Sequence, residues 1–256
     1  MRHAWVSQEH KHPETNLANG LRGGGARQVL GEMRKWDFRV AQNVDYFIAI
    51  SKYIQQRISR VYGRESIVIY PPVDTDFYNI RHKKEKFYLA ASRMVPYKMM
   101  PLIVSAFAEM PEKQLVVIGD GPEMKRVRRI AGSNARILGY LDNEAMRDYM
   151  QRARCFIFAA EEDFGILPVE AQACGTPVVG YGAGGLLETV KGLGEESPTG
   201  VFFYEQSKQA IKHAVLKFEQ NADRISPENC RNNALRFSEG RFRVEFTKFV
   251  DDALKK

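Results

Sequence analysis

FYLAASRMVPYKMMPLIVSAFAEMPEKQLVVIG, residues 87–119, decides the fold. A strand-length apolar run, FYLAAS (87–92), gives way to a longer segment with helical spacing, PLIVSAFAEM (101–110), and then to a second short run, QLVVIG (114–119). Short apolar runs bounded by turn residues read as buried strands, and longer periodic segments read as helices. The alternation continues through PEMKRVRRIA (122–131), ARILGY (135–140), NEAMRDYMQRA (143–153), CFIFAA (155–160), a helix around Glu170, PVVGY (177–181), a short helix and GVFFY (200–204). Strands alternating with helices predict an α/β fold, a doubly wound, Rossmann-like parallel sheet covered on both faces. Segments 207–219, 227–237 and 241–255 read as closing helices.

Upstream, residues 32–44 have helical periodicity, YFIAIS (46–51) reads as a strand, and KYIQQRISRVYG (52–63) as an amphipathic helix ended by Gly63. SIVIYPPVD (66–74) is a strand stopped by Pro71 and Pro72. Residues 1–30 are polar, and LANGLRGGGARQ (17–28) reads as turn or disorder. His3, His10 and His12 in this head have no carboxylate or cysteine at ligand spacing and read as incidental. The chain thus divides into a flexible head (1–31), a short α/β segment (32–64), a main α/β domain (65–240) and a C-terminal helix (241–256).

Doubly wound sheets bind ligands beyond the carboxyl ends of their strands. Arg93 follows the first strand of the main domain, GDGP (119–122) the second, Gly139 and Tyr140 the third, Glu161 and Glu162 the fourth, and GAGG (182–185) the fifth. EDFGILPVE (162–170) is the most informative of these stretches, with seven residues between its two glutamates. A helix opened by Gly165 would turn free amides and its positive dipole end toward the rim, which suits a phosphate. Glu170, inside that helix, suits the paired hydroxyls of a ribose, while Glu162 on the loop reaches a second polar group. Arg93 and Lys98, in SRMVPYK, are suited to neutralising a diphosphate through charge-assisted hydrogen bonds.

Two rival motifs stand beside this one. Gly180, Gly182 and Gly185 satisfy G-x-G-x-x-G after a strand, with Glu205 twenty residues past the last glycine, so an NAD-dependent dehydrogenase is an alternative. Against it, the segment after the glycines is cut short by Gly192, Gly194 and Pro198. Asp74 and Asp76 form an Asp-x-Asp that could hold a divalent cation. It stands in PPVDTDFY, a proline-led turn expected away from the rim loops, and the turn reading is preferred.

The formal charge of +7 favours anionic partners, among which nucleotide diphosphates, lipid headgroups and nucleic acid are candidates. The densest basic cluster, Lys125, Arg126, Arg128 and Arg129, reads as a solvated helix face, with a peripheral membrane contact as its functional alternative. No aromatic residues interleave with it as a base-stacking surface requires, which argues against nucleic acid. Three cysteines without metal-like spacing point to a reduced, cytosolic setting. No apolar stretch approaches the roughly 18–20 residues of a spanning helix, and the start MRHAWVSQEHKHPE does not read as a signal peptide. Neither a Ser-His-Asp nor a Cys-His arrangement appears at recognisable spacing, so hydrolysis by a nucleophilic triad has no support.

Residues 162–178 fill every fixed position of E-x-F-G-x-x-x-x-E-A-x-A-x-G-x-P-V, and SRMVPYK fits S/G-R-x-x-x-x-K. In these motifs the chain resembles family 4 of the retaining glycosyltransferases, the group 1 glycosyl transferases of GT-B fold. It looks closest to the family's mannosyltransferases that build surface polysaccharides, with KWDFRVAQNVDYFIAIS, YGRESIVIYPPVDTDFY and RFRVEFTKFV in familiar form. The resemblance implies two facing Rossmann-like domains, of which the C-terminal, donor-binding one is complete here. Residues 32–64 would be the remnant of the acceptor domain, against which the terminal helix around Phe242, Phe246 and Phe249 would partly pack.

By the same resemblance, Arg93 and Lys98 hold the donor diphosphate, Glu170 the ribose hydroxyls, and Glu162 the sugar, steadying its developing positive charge. The backbone amides of Phe164, Gly165, Ile166 and Leu167 would meet sugar and phosphates, Gly139, Tyr140 and Leu141 would flank the base, and Gly184 and Gly185 would let backbone approach the sugar phosphate. No metal would be needed. The expected activity is transfer of a hexose, mannose from GDP-mannose, with retention to a carbohydrate or lipid-linked acceptor. The alternative is a non-catalytic nucleotide-sugar-binding portion that needs a separate acceptor domain or self-associates.

Overall fold

The computed structural model describes residues 23–80 and 83–255. The chain divides into two compact units, Met1–Val68 and Ile69–Lys256. Expectations for residues 1–22, including the three histidines, lie outside the described residues.

In the first unit, α1 (Gly23–Gln42) and α2 (Lys52–Tyr62) accompany a two-stranded parallel sheet in which β1 (Ile48–Ala49) pairs with β2 (Ile67–Val68). Helix α1 starts at Gly23, nine residues before the expected start, so the glycine-rich stretch read as turn is partly helical. Lengthening a helix from an existing nucleus costs far less than starting one, which lets weak helix formers sit at its end. Arg64 donates to the carbonyls of Ala41 and Gln42 at the C-terminus of α1, each at 3.1 Å, and to that of Val44 just beyond it at 2.6 Å. Helix α2 is capped at both ends, by the Ser51 hydroxyl accepting from the Ile54 amide at 3.1 Å and by left-handed Gly63.

The second unit holds a six-stranded sheet, all of whose paired strands are parallel, as the alternation predicts. Its strands are β3 (Tyr88–Ala91), β4 (Leu115–Ile118), β5 (Ala135–Gly139), β6 (Cys155–Phe158), β7 (Val178–Tyr181) and β8 (Gly200–Phe203), in the order β5-β4-β3-β6-β7-β8. The connecting helices are α3 (Met100–Ala108), α4 (Met124–Ile130), α5 (Asn143–Arg152), α6 (Ile166–Ala173) and the single turn α7 (Leu186–Thr189). Helices α8 (Lys208–Gln220), α9 (Pro227–Leu235) and α10 (Glu239–Leu254) close the unit.

Strand side chains alternate between two cores. Tyr88, Ala90, Leu115, Val117, Cys155 and Ile157 enter one, with Ile103, Val104 and Phe107 of α3, Val127 of α4 and Ile211 and Phe218 of α8. Leu89, Ala91, Val116, Ile118, Phe156 and Phe158 enter the other, with Met150 of α5, Val169 of α6 and Ala234 of α9. Burial on both faces is what near-continuous apolar strands require. Each fully buried large side chain contributes about 1.5–3 kcal/mol. The three cysteines are buried and free.

The order fixes where a ligand can sit. Strands β3, β4 and β5 run outward one way and β6, β7 and β8 the other, so the sheet reverses between β3 and β6 and opens a crevice at their carboxyl ends. Beside it, the loops after β3 and β4 lie against each other. Gly119, at φ +131°, leaves no room for a side chain, since a Cβ there would fall 1.9 Å from the Ser92 carbonyl oxygen. Gly119→Ala should lower stability by at least about 1–3 kcal/mol from backbone strain alone. Urea denaturation checks this, and wild-type stability in the variant would contradict the close approach.

Candidate functional site

The loop after β3 carries Arg93, exposed at the rim, and a 3-10 turn, Pro96–Lys98, that delivers Lys98. Among the described residues no ion pair engages Arg93. The Lys98 ammonium pairs with the Glu162 carboxylate on the loop after β6, so the contact spans the reversal point of the sheet. The two side chains are 15% and 20% exposed, a half-desolvated setting in which opposite charges attract more strongly than in water. Burial brings the Lys98 pKa down to about 8.

The GAGG loop after β7 presses on the loop carrying Glu162. The Gly185 amide donates to the Glu162 carbonyl at 2.8 Å. A Cβ on Gly184 would lie 2.3 Å from that carbonyl oxygen, and one on Gly185 2.5 Å from the Asp163 carbonyl oxygen. These glycines therefore serve close packing of two rim loops. The helix behind them, α7, is one turn long, where the dinucleotide fingerprint demands a full crossover helix. The geometry removes the basis of the dehydrogenase alternative.

Gly165, left-handed at φ +90°, starts α6 with no side-chain cap, leaving the first amides of the helix for another acceptor. Ile166 is exposed and Leu167 half-buried at this start. The Phe164 ring is core, set against Tyr70 and Phe237 at centroid distances of 5.9 and 5.4 Å, so only its backbone remains for a ligand. On the other flank, Gly139 (φ +79°) ends β5 and its carbonyl accepts from the Gly119 amide at 2.7 Å. Tyr140 beside it is 77% exposed, while Leu141 packs on the core.

Glu170 lies in the second turn of α6, and among the described residues no hydrogen bond or ion pair joins it to Arg93, Lys98 or Glu162. Burial pushes its pKa up to about 7; the Tyr78 hydroxyl pulls it down by hydrogen bonding, and the Asp74 charge pushes it further up. Asp74 also accepts from the Phe77 amide at 2.8 Å, in agreement with the turn reading of PPVDTDFY. Its charge is nonetheless one of the influences that raise the pKa of the Glu170 carboxyl. Tyr78 and Asp74 carry no local signal of this role, since they meet Glu170 only through the fold.

The family described as Glycosyl transferases group 1 matches residues 74–237. An uncharacterized glycosyltransferase of Methanocaldococcus jannaschii is 25% identical over 204 residues, covering 77% of this chain and 56% of its own length. A GDP-mannose-dependent monoacylated alpha-(1-6)-phosphatidylinositol monomannoside mannosyltransferase of Corynebacterium glutamicum is 27% identical over 197 residues, covering 65% of this chain and 50% of its own. The chain therefore spans about half the length of these relatives. Among solved structures, sucrose-phosphate synthase of Thermosynechococcus elongatus superposes with a TM-score of 0.75 at 21% identity, over 87% of this chain and 61% of that one. Anabaena HepE in complex with UDP and glucose gives 0.72 at 21% identity, over 84% and 67%. Both likenesses speak to the fold.

A carboxyl whose pKa rises on folding from 4.5 to about 7 contributes fully to stability below pH 4.5 and loses that contribution as pH rises toward 7. Glu170→Gln should therefore match wild type near pH 4.5 and exceed it by roughly 1–3 kcal/mol at pH 8. Urea titrations at the two pH values test this, and a variant less stable than wild type at pH 8 would contradict it.

Proposed function

The chain belongs to the glycosyl transferases group 1 family, and from that premise we propose that it is the donor-binding portion of a retaining glycosyltransferase of family 4. It moves a hexose, mannose from GDP-mannose, to a carbohydrate or lipid-linked acceptor. The observation that carries the reading is the Lys98–Glu162 pair across the reversal point, with Arg93 on the same loop as Lys98. The name of the Corynebacterium glutamicum relative supports GDP-mannose and a lipid-linked acceptor.

In this mechanism Arg93 and Lys98 hold the diphosphate, and the α6 amides at Gly165, Ile166 and Leu167 add donors to the sugar and phosphates. The bond that breaks joins the sugar C1 to a phosphate oxygen, which departs with the electron pair. Fixed cationic and amide donors aimed at that oxygen lower the barrier without reorganising during the reaction. Two cations and a helix terminus supply the neutralisation for which other enzymes use a divalent metal, so the reaction runs without one. Glu162 faces the sugar and steadies its positive charge, Glu170 accepts from the ribose hydroxyls, Gly139, Tyr140 and Leu141 flank the base, and Gly184 and Gly185 let backbone approach the sugar phosphate.

Transfer needs a second wall that positions the acceptor and excludes water. Donor binding is assigned to residues 65–240, which hold the stretch 74–237 matched by the family, and acceptor binding to a facing domain. Among the described residues no helix is long and apolar enough to cross a membrane. Lys125, Arg126, Arg128 and Arg129, all exposed on α4, supply a contact for anionic headgroups where a lipid-linked acceptor is used.

Calorimetry with GDP, UDP and NAD tests the reading. GDP should bind best, and Arg93→Ala and Glu170→Ala should each weaken it about 10- to 100-fold, as expected for losing a charged hydrogen-bonding group. A preference for NAD would overturn the assignment.

A further inference from the structure

The Lys98–Glu162 pair joins two side chains that the proposed function sends to different parts of one ligand, Lys98 to the phosphates and Glu162 to the sugar. Both partners are held from behind by main chain. The turn Pro96–Lys98 ends in Met99 at φ +57°, the only non-glycine residue at positive φ among the described residues. That conformation is strained for a residue with a side chain and persists only where its surroundings impose it. On the other side the Glu162 carbonyl accepts from the Gly185 amide at 2.8 Å, and a Cβ on Gly184 would fall 2.3 Å from the same oxygen. Neither charge therefore retreats with its loop, and the two side chains, 15% and 20% exposed, neutralise each other across the crevice.

We propose that this pair is exchanged on binding rather than kept, and that Glu162 thereby sets a preference for a nucleotide-sugar over the free nucleoside diphosphate. The inference rests on the diphosphate lying at Lys98, as in the proposed function. A diphosphate entering the crevice draws the ammonium toward itself. It leaves the Glu162 carboxylate half-desolvated, without its counter-charge and beside another anion. A free terminal phosphate carries about two negative charges near neutrality and offers that carboxylate no donor. Esterified to a hexose it carries one charge fewer, and sugar hydroxyls donate to the carboxylate in place of the ammonium. Both ends of the pair are thus satisfied only by a ligand that brings phosphates and sugar together. After transfer, C1 is bonded to the acceptor oxygen and the acceptor proton has passed to solvent. The electron pair of the broken C1–oxygen bond stays on the phosphate as added charge facing Glu162, so re-forming the pair favours departure of the nucleotide.

Calorimetry with GDP and UDP, each free and as a hexose ester (GDP-mannose, UDP-glucose), tests this on wild type, Glu162→Gln and Glu161→Gln. Glu162→Gln removes the charge, and the contact with the Gly185 amide that holds the loop involves only main chain. The variant should bind the free diphosphate about tenfold or more tighter than wild type, the scale of relieving a like-charge contact. The hexose ester, which loses a carboxylate acceptor, should bind it no more tightly than wild type. Glu161→Gln removes the same charge one position away and should change neither affinity by more than about twofold. Should Glu162→Gln fail to fold, Glu162→Ala carries the same expectation for the free diphosphate. Free-diphosphate affinity unchanged or weakened on loss of the Glu162 charge, an equal gain for the hexose ester, or an equal gain in Glu161→Gln overturns this inference alone. No binding of GDP or UDP by wild type overturns the nucleotide reading and this inference with it.

Discussion

The reversal of strand order between β3 and β6 is the constraint on which the rest of the structure depends. A parallel sheet wound in both directions from one point leaves the two central loops without a shared crossover, and a crevice opens between them. Here that crevice is lined by a lysine from one side and a glutamate from the other. Pairing across the gap keeps both charges partly out of water at tolerable cost, since each supplies the counter-charge the other lacks. Neither side chain would be placed there without the sheet, whose double core is built from plain apolar alternation.

Around the crevice the rim is held by backbone. The loops after β3 and β4 touch through Gly119 and Gly121, and those after β6 and β7 through Gly184 and Gly185. A side chain at Gly119, Gly184 or Gly185 would overlap a carbonyl oxygen. Such packing fixes loop positions more firmly than side-chain contacts do, which is what an electrostatically organised site needs. Glu170 shows the opposite economy. It is half-buried within the influence of another acid's charge, so the fold carries a local cost of the kind found where binding has been favoured over stability.

Much of this was legible in the sequence because it was local. The strands and helices from residue 87 onward follow from apolar period and run length, and the rim positions of Arg93, Glu162 and the GAGG loop follow from their places after strands. What failed to read was non-local. The Asp74 turn reads as a proline-led turn away from the rim loops, and its electrostatic influence on Glu170, 96 positions further along the chain, arises only in the folded molecule. The glycines 180, 182 and 185 fit a dinucleotide pattern because short motifs record spacing without purpose. Their purpose, close approach to the preceding loop and to neighbouring side chains, is visible only in three dimensions. At the other end, glycines 23–25 have a composition that argues against helix, which the length of α1 outweighs.

A crystal structure of the chain with GDP bound tests the central claim most directly. The account places the phosphates in the crevice between β3 and β6, within hydrogen-bond reach of Arg93, Lys98 and the first amides of α6, with the ribose on Glu170. Nucleotide density on any other surface, or in the crevice with the ribose turned away from Glu170 and the phosphates away from Lys98, would contradict it.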